Sequence, residues 1–486
     1  MIGLTLAEVA RAVSGRLVDA PDPEVRVSGS VEYDSRKVAP GGLFVAFAGE
    51  RADGHDFAAA AVRDGAVGVI ATRQVGVPAV LVDDPLVALG RLARAVVDRL
   101  PDATVIGVTG SSGKTSAKDL IAQLVTRLGP AVAPPGTFNN ELGHPYTVLR
   151  ADERTRHLVL EYGARGVGHI RYLCEAAPPT LGVVLNVGVA HIGEFGSADA
   201  IAKAKGELVE ALPDAADGGV AVLNADDPRV SAMSSRTAAR VLRYGESPAA
   251  DVRAVDVRLD ERGRPAYRLV SPAGETDVRL RLHGPHQVGN TLAAAAVALE
   301  RGVSIGDLGG AMAELALVSE RRMDVFDTAG GVTVVDDSYN ANPGSMAAAL
   351  QALVAIGQRR RRWAVLGYMA ELGRHERAGH EEVGRLAARL GVDRLVVVED
   401  AAAPVLDGAR SVDDWGGEAV LAPDQEAAIG ALRGELAPGD VVLVKGSRYR
   451  TWMIADALRG DRKQSADALR SEAPRSGDAL REGTCQ

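Results

Sequence analysis

One segment constrains the fold of this chain more than any other, the run from Thr104 to Leu128. Thr104 to Thr109 are β-branched or apolar apart from one glycine, which is typical of a buried parallel strand. The turn Gly110-Ser111-Ser112-Gly113-Lys114-Thr115 follows, and Thr115 to Leu128 then has a helical pattern. Glycines in such a turn let backbone N–H groups approach phosphates, and the helix N-terminus adds favourable partial charge. The segment therefore predicts a phosphate-binding loop in an α/β domain.

Two side chains of this loop have distinct expected tasks. Lys114 is expected to reach the β- and γ-phosphates of ATP, and the Thr115 hydroxyl to bind Mg²⁺. A plain Gly/Ser turn would explain the glycines but not Gly-Lys-Thr at the start of a helix. The glycine that usually stands five residues before Gly113 is displaced by one position, to Gly107.

Length and composition indicate a folded protein of several domains. The 486 residues exceed what one hydrophobic core usually organises. Hydrophobic residues make up 47% and aromatic residues only 4%, so aliphatic α/β cores are expected, and the net charge of −9 argues against a nucleic-acid binder. Two cysteines give no disulfide framework, and no apolar run approaches the roughly 20 residues of a membrane helix. Leu4 to Leu17 reads as an amphipathic helix rather than a signal peptide, so we expect a cytoplasmic protein without membrane insertion.

Strand and helix patterns alternate in three successive regions. The first covers 1–100. The second, 101–318, has strand candidates typical of a doubly wound parallel sheet at Thr104 to Thr109, Leu158 to Glu161, Gly182 to Val187 and Val220 to Asn224. The third, 319–460, has a Rossmann-like pattern with strand candidates at Val332 to Asp336, Trp363 to Leu366, Arg394 to Val398 and Val441 to Val444. The charged, Ser/Ala-rich segment 461–486 is predicted to be a disordered tail.

Several blocks resemble, in order, those of one enzyme family. They are Asp34-Ser35-Arg36-Lys37-Val38, Gly49 to Phe57, Gly107-x-x-Gly110-x-x-Gly113-Lys114-Thr115, Asn139-Asn140-Glu141-Leu142-Gly143, Glu161-Tyr162-Gly163-Ala164, Asn186 to His191, Ala202 to Glu207, Asp336 to Pro343 and Lys445-Gly446-Ser447-Arg448. The family is that of the Mur ligases, which build the peptide stem of the bacterial cell-wall precursor. The resemblance implies their α/β, three-domain architecture: a UDP-substrate-binding domain (1–100), a central ATP-binding domain with the P-loop and the doubly wound parallel sheet (101–318), and a C-terminal Rossmann-like ligase domain (319–460).

Within that family the blocks are most similar to the members that join D-alanyl-D-alanine to UDP-N-acetylmuramoyl-tripeptide. The resemblance implies that ATP first converts the tripeptide carboxylate to an acyl phosphate, which the dipeptide amine then attacks, giving the pentapeptide precursor of peptidoglycan with ADP and phosphate. The expected partners are thus these two substrates, with no nucleic acid, and a monomer is expected. Diaminopimelate and lysine both stay open as the third residue of the tripeptide.

The resemblance also assigns residues to the two nucleotide-linked substrates. Those assigned to ATP are Gly110, Ser111, Ser112, Gly113, Lys114, Thr115, Ser116, Asn290, Arg322, Asp337 and Asn340. Those assigned to the UDP-linked acceptor are Ser35, Arg36, Gly49, Arg51, Asp53, His55, Asn139 and Asn140. Two positions depart from the family pattern, because Gln287 stands where an asparagine is usual and Tyr368 where an acidic residue is expected.

Metal binding is expected at two Mg²⁺ sites. Thr115 and Glu161 offer the hard oxygen ligands that Mg²⁺ takes. By resemblance, His191 binds a second Mg²⁺, and Lys205 is carbamylated so that it becomes an anionic ligand. Chemistry alone would favour a surface lysine paired with Glu207. The resemblance makes Lys114, Lys205 and His191 the catalytic residues.

Three other functions fit the sequence less well. A sibling ligase that adds the third, diamino residue carries an Asp-Asn-Pro-Arg signature in its last domain, and this chain has none beyond position 320. A folate or cyanophycin type of ligase would not need the UDP-binding-like first region. A catalytically dead nucleotide-binding regulator is opposed by the intact set Lys114, Thr115, Glu161, His191 and Lys205.

Overall fold

The structure of the chain is a computed structural model that describes residues 1–49, 52–188 and 192–460. The tail predicted to be disordered therefore lies outside the described residues. The chain divides into two compact units: unit 1 comprises Met1–Glu320 and Glu371–His375, and unit 2 comprises Arg321–Ala370 and the described residues from Glu376 onwards. Within the described ranges, no helix has both the length and the apolar character needed to cross a membrane.

The N-terminal part of unit 1 carries two small sheets. Its elements are β1 (Leu4–Thr5), α1 (Leu6–Val13), β2 (Arg16–Val18), β3 (Arg26–Val27), β4 (Val31–Glu32), β5 (Gly42–Val45), α2 (Ala58–Arg63), β6 (Ala66–Ala71), β7 (Ala79–Leu81) and α3 (Pro85–Val97). β1 pairs with β3, and the other five strands lie in the order β2-β7-β6-β5-β4. β4, β5, β6 and β7 are parallel and β2 runs antiparallel to β7, so β4 is the edge strand of the parallel part of this sheet.

Helix α1 is shorter than the helix predicted from Leu4 to Leu17. The Thr5 hydroxyl accepts the N–H of Glu8 at 3.2 Å, and the Glu8 carboxylate accepts the N–H of Thr5 at 2.9 Å, which forms a capping box at the start. At the other end Ser14 adopts a left-handed conformation, with φ of 57°. Local capping groups, rather than the apolar period, therefore set both ends of this helix.

The rest of unit 1 is built on a nine-stranded sheet. Its elements are β8 (Thr104–Thr109), α4 (Lys114–Val125), β9 (Ala131–Val132), α5 (Gly143–Val148), β10 (His157–Glu161), α6 (His169–Ala176), β11 (Leu181–Val184), α7 (Ile192–Phe195), α8 (Ala198–Glu210), β12 (Val220–Asn224), α9 (Pro228–Ser231), β13 (Arg240–Gly245), β14 (Val252–Leu259), β15 (Pro265–Ser271), β16 (Gly274–Arg279), α10 (Gln287–Arg301) and α11 (Ile305–Ala313). The strand order is β16-β15-β14-β13-β12-β11-β8-β10-β9.

Strand β8 lies at the point where the chain order of the parallel strands reverses, between β10 and β11. Val105 of β8 packs into the core that includes α6 and α8, whereas Ile106 and Val108 pack into the core of α4 and α10 on the other face. Helices thus cover both faces, and the predicted doubly wound sheet is confirmed. Open parallel sheets bind ligands outside the carboxyl ends of their strands at such a reversal, which is where the predicted phosphate loop begins.

Strand β14 pairs in parallel with β13, and β15 and β16 then extend the sheet in antiparallel fashion; these three strands were not predicted from the sequence. In β15 the buried Tyr267 and Leu269 alternate with the exposed Arg268. Such a half-exposed pattern differs from the continuous apolar runs of a buried parallel strand, on which the strand predictions rest.

Unit 2 has a six-stranded sheet in the order β17-β18-β22-β19-β20-β21. Its elements are β17 (Asp324–Asp327), β18 (Thr333–Asp336), α12 (Pro343–Gly357), β19 (Arg362–Leu366), α13 (Glu376–Arg389), β20 (Arg394–Val398), α14 (Pro404–Arg410), β21 (Glu418–Ala422), α15 (Gln425–Glu435) and β22 (Val441–Lys445), followed by helical residues 452–460. All neighbours are parallel except β17, which runs antiparallel to β18. The Rossmann-like prediction is confirmed.

Candidate active site

The predicted phosphate loop joins β8 directly to α4. Gly113 precedes the helix with φ of 82°, and a Cβ there would lie 2.7 Å from Oδ1 of Asn290. Both the backbone conformation and the space therefore require glycine. Gly107, the displaced glycine, has another reason, because its Cβ would lie 2.8 Å from the ring of Tyr162 inside the core. Gly107 is thus a packing position in β8 and not part of the loop.

The two functional side chains of the loop lie at the start of α4. Nζ of Lys114 donates to the carbonyl oxygen of Gly110 at 2.7 Å, so the ammonium folds back over its own loop. The hydroxyl of Thr115 is buried and lies 3.0 Å from the hydroxyl of Thr137. This arrangement brings a cation and a hard oxygen donor together at an open helix N-terminus, as phosphate binding requires.

Asn186, which follows β11, holds the loop through its side chain. Its Oδ1 accepts the N–H groups of Ser111 and Ser112, both at 3.0 Å, and its Nδ2 donates to the carbonyl oxygen of Ser112 at 3.2 Å. Asn186 was part of a matched block but was not predicted as a site residue. Its position near the carboxyl end of a predicted buried strand, Gly182 to Val187, was the signal available in the sequence.

Gln287 occupies the position where the family pattern has asparagine, and it is fully buried. Its Oε1 accepts from Nδ2 of Asn290 at 3.1 Å. The amide nitrogen of Asn290 points to Gln287, so the amide oxygen of Asn290 faces Gly113. The replacement residue therefore fixes the orientation of a predicted ATP-binding side chain from within the protein.

Glu161 is the last residue of β10, and its side chain is fully buried. Nδ2 of Asn139 lies 3.5 Å from its Oε2, and its backbone oxygen lies 3.1 Å from Nδ1 of His144. Burial lowers the pKa of His144 to about 4, so this histidine is neutral at neutral pH. A buried carboxylate at the carboxyl end of β10, the strand next to β8, is the kind of donor that Mg²⁺ takes, and the residues present fit such an ion.

Lys205 lies in α8 with only 4% of its surface exposed. Burial lowers its pKa well below the usual value for lysine, and the nearby Lys114 ammonium lowers it further. Glu207 instead accepts the backbone N–H groups of Gly168 and Arg171, at 2.6 and 3.1 Å. The surface-lysine interpretation, in which Lys205 pairs with Glu207, is therefore wrong.

The predicted metal set is only partly within the described residues. His191 falls in the gap after residue 188, so its position is not described. Across residues 1–49, 52–188 and 192–460, no group of three His, Cys, Asp or Glu side chains is arranged for metal binding. The metal-binding set predicted from the sequence is not a group of that type, because it combines Thr115 and Lys205 with Glu161 and His191.

The residues predicted to bind the UDP end lie after β4 and β5 in unit 1. Arg36, next to Ser35, is exposed and forms an ion pair with Asp34 at 2.8 Å. His55 is buried: its Nδ1 lies 2.5 Å from Asp53, and its Nε2 accepts the N–H of Thr72 at 3.0 Å. Both ring nitrogens of His55 therefore have protein partners, so this residue orients Asp53.

Three other predicted acceptor residues, Gly49, Asn139 and Asn140, lie outside helices and strands. The N–H of Gly49 donates to the carbonyl oxygen of Ala52 at 3.1 Å, and Arg51 lies outside the described residues. Oδ1 of Asn140 accepts the N–H of Gly143, the first residue of α5, at 2.8 Å. Among the predicted acceptor residues that the structure describes, Asn139 is the one that contacts the predicted metal site, through Glu161.

In unit 2 the predicted ATP residues gather at the carboxyl ends of β18 and β22. The buried Lys445 donates to the Asp337 carboxylate at 2.5 Å and to the backbone oxygen of Asn340 at 2.9 Å. The guanidinium of Arg322 stacks 4.2 Å from the ring centre of Tyr339. Lys445 belongs to a matched block but was not predicted as a site residue, and it links two of the predicted residues.

Tyr368, the second departure from the family pattern, also lies in unit 2. Its hydroxyl donates to the Glu376 carboxylate at 2.7 Å, and its ring stacks on His380 with the ring centres 5.2 Å apart. An acidic residue at this position would face Glu376. The tyrosine thus provides a donor where a second carboxylate would be repelled.

Comparisons with known proteins agree along most of the chain. Three family models match: Mur ligase family, catalytic domain, at residues 29–104; Mur ligase middle domain at residues 108–298; and Mur ligase, glutamate ligase domain, at residues 321–448. UDP-N-acetylmuramoyl-tripeptide–D-alanyl-D-alanine ligase of Mycobacterium tuberculosis is 49% identical over 505 aligned positions, covering 95% of this chain and 98% of the relative.

Solved structures give the same result. The UDP-N-acetylmuramoylalanyl-D-glutamyl-2,6-diaminopimelate–D-alanyl-D-alanyl ligase of Acinetobacter baumannii superposes with a TM-score of 0.80 at 28% identity, covering 95% of this chain and 98% of the other. MurF ligase of Thermotoga maritima, solved with ADP, superposes with a TM-score of 0.78 at 30% identity, covering 90% of this chain and 99% of the other. The phosphate loop between β8 and α4 and the buried carboxylate of Glu161 agree with these matches. The chain therefore belongs to the Mur ligase family.

Proposed function

We propose that this chain is an ATP-dependent ligase that joins D-alanyl-D-alanine to UDP-N-acetylmuramoyl-tripeptide. The observation that carries the proposal is the 49% identity, over 95% of the chain, to a protein of that name. The intact phosphate loop and the identity to a relative solved with ADP support ATP as the energy source.

Amide formation from a carboxylate and an amine is uphill in water, so the carboxylate must first be activated. Transfer of the γ-phosphoryl group gives an acyl phosphate and ADP, and attack by the dipeptide amine then releases phosphate. The first step brings several oxyanions together, and their repulsion must be neutralised at fixed positions. Lys114 has the required charge, and its contact with Gly110 holds it over the loop until phosphates replace that carbonyl.

We propose that Thr115 and Glu161 hold one Mg²⁺. The ion, when bound, neutralises charge on the phosphates and on the acceptor carboxylate. His191 and Lys205 are proposed for a second Mg²⁺ on the basis of the family resemblance. Carbamylation of Lys205 requires its neutral amine, which adds to CO₂ with loss of a proton. The burial that lowers the pKa of Lys205 favours that neutral form and so supports the assignment.

The remaining expectations from the sequence stay predictions. They are the division into domains at 1–100, 101–318 and 319–460, the monomeric state, the cytoplasmic location, and the residues assigned to the acceptor and to ATP. The unit boundary at Glu320, close to residue 318, is compatible with that division.

The test is a ligation assay with ATP, a panel of amines and UDP-linked acceptors, with ADP release and product mass as readouts. We expect saturable ADP release that requires both UDP-N-acetylmuramoyl-tripeptide and D-alanyl-D-alanine, and much poorer turnover with L-Ala-L-Ala or free amino acids. More efficient ligation of a single amino acid to a UDP-muramoyl dipeptide would instead identify the sibling ligase. No turnover with any pair, in protein that still binds ATP, would indicate the nucleotide-binding regulator.

A further inference from the structure

Three aromatic side chains in unit 1, Tyr33, Tyr146 and Phe138, form what we call the aromatic row. The rings of Tyr33 and Tyr146 meet edge to face with centres 5.2 Å apart, and Phe138 lies 5.9 Å from Tyr146 on a tilted plane. Tyr33 directly precedes the segment predicted to hold the UDP end. Phe138 directly follows Thr137, whose hydroxyl contacts Thr115 of the phosphate loop. The row therefore runs from the predicted UDP segment to the phosphate loop.

A buried carboxylate lies beside this row. Glu32 is the last residue of the edge strand β4 and is 8% exposed. The hydroxyl of Tyr146 donates to its Oε2 at 3.0 Å. Within the described part of the chain, this is the one hydrogen bond of the Glu32 side chain, and no basic residue forms an ion pair with it. The carboxyl ends of parallel strands, where Glu32 lies, are the usual ligand-binding edge of such sheets.

A carboxylate in this position has no ion-pair partner among the described residues, and the charge of Arg150 acts on the neighbouring Tyr146 without pairing with Glu32. Burial of an ionised carboxylate is costly unless a cation and hydrogen bonds balance it. Tyr146 is a neutral donor, because burial, together with Glu32, raises its pKa to about 12. Arg36, the nearest basic residue along the chain, is exposed and pairs with Asp34. A cation from outside the protein would complete the pairing, and it would also gain the electrostatic attraction of the exposed Tyr33 ring.

We propose that Glu32 and the aromatic row bind a primary ammonium group on the side chain of the third residue of the peptide acceptor. This inference rests on the proposed function, which supplies the acceptor. The uracil, the diphosphate, the sugar and the first two amino acids of that acceptor carry no free amine, since their amino nitrogens are in amide bonds. The third residue also bears the carboxylate that must reach the phosphate loop, so its side chain is the part of the acceptor nearest Phe138 and Tyr146.

The experiment compares three UDP-N-acetylmuramoyl-tripeptides that differ only in the third residue: lysine, Nε-acetyllysine and norleucine. With the wild-type protein, kcat/KM for the lysine acceptor is expected to exceed that for the other two by about 30-fold or more, as for a charge pair removed from water. In Glu32→Gln this preference is expected to fall to about threefold or less, because the amide has no charge to offer. The exposed Glu24→Gln serves as the matched control and is expected to keep the wild-type preference.

The outcomes separate this inference from the proposed function. Equal use of the three acceptors by the wild-type protein would overturn the inference, and so would an equal loss on all three in Glu32→Gln. Failure of the wild-type protein to ligate D-alanyl-D-alanine to any of them would overturn the proposed function itself. If Glu32→Gln does not fold, Tyr146→Phe retains the carboxylate and is expected to keep a preference for lysine of at least tenfold. The wild-type comparison decides the inference even without a variant.

Discussion

Replacing Asp119 by alanine is expected to lower the free energy of unfolding of unit 1 by about 3–5 kcal/mol. Asp119 and Lys118 are neighbours in α4, one turn beyond Lys114, and each side chain is 1% exposed. The Asp119 carboxylate pairs with Nζ of Lys118 and accepts both the N–H and the hydroxyl of Ser319, at 2.9 and 3.1 Å. Alanine would remove all three interactions and leave the Lys118 ammonium buried.

The magnitude follows from what remains around that ammonium. Nζ of Lys118 keeps a bond to the carbonyl oxygen of Pro134 at 2.7 Å, so its desolvation is partly offset. Each lost hydrogen bond to a charged group is worth about 1.5–3 kcal/mol, and these values do not add fully within one network. The double variant Lys118→Met with Asp119→Ala removes the buried charge and is expected to recover about half of the loss. Asp98→Ala, which breaks an exposed pair with Arg94, is the matched control, with an expected loss of about 0.5 kcal/mol or less.

Hydrogen exchange of the α4 amides, read by mass spectrometry at increasing urea, measures the stability of unit 1. The three tryptophans, Trp363, Trp415 and Trp452, all lie in unit 2, so their fluorescence provides an internal control that should not change. A loss below about 1 kcal/mol for Asp119→Ala would refute the reasoning. So would a double variant no more stable than the single one, because the buried ammonium would then not be the source of the cost.

Three further substitutions test the candidate site. Lys114→Ala is expected to lower kcat by on the order of 10³ or more with unchanged far-UV circular dichroism, and near-normal turnover would contradict its role in phosphoryl transfer. Lys205→Ala should be almost inactive and partly rescued by excess of a short carboxylic acid, measured as ADP release; full activity without added acid would exclude a catalytic role. Asn186→Ala should raise KM for ATP by about tenfold or more through loss of three bonds to the loop, and an unchanged KM would show that the loop holds its shape without it.

Several strands and the phosphate loop were predictable because their sequence signals are local. β8 was predicted at its observed bounds, Thr104–Thr109, and β20 likewise at Arg394–Val398. The glycine-rich turn between a strand and a helix carries its own physical reason. Family resemblance added Glu161 and Lys205, which no spacing rule would have joined to the loop.

What the sequence did not reveal depends on contacts between distant residues. Nothing local to Lys118 and Asp119 indicates that Ser319, some 200 positions away, closes over them. The amide of Asn186 contacts the loop only because β11 pairs with β8. The burial of Lys205 depends on how α8 packs on the sheet, and a lysine in a helix has no sequence signature for that.

The central place of β8 has a consequence for the order of events during synthesis. The Thr109 hydroxyl donates to the carbonyl oxygen of Tyr162, 53 residues later, and Thr180 bonds back to Val105 across 75 residues. The phosphate loop can therefore take its shape only after β10 and β11, the strands on either side of β8, have left the ribosome. At translation rates of about 5–20 residues per second, β8 waits roughly 4–15 s for β11. During that time its apolar faces lack their partners, so this stretch of the nascent chain is where we expect chaperones to bind.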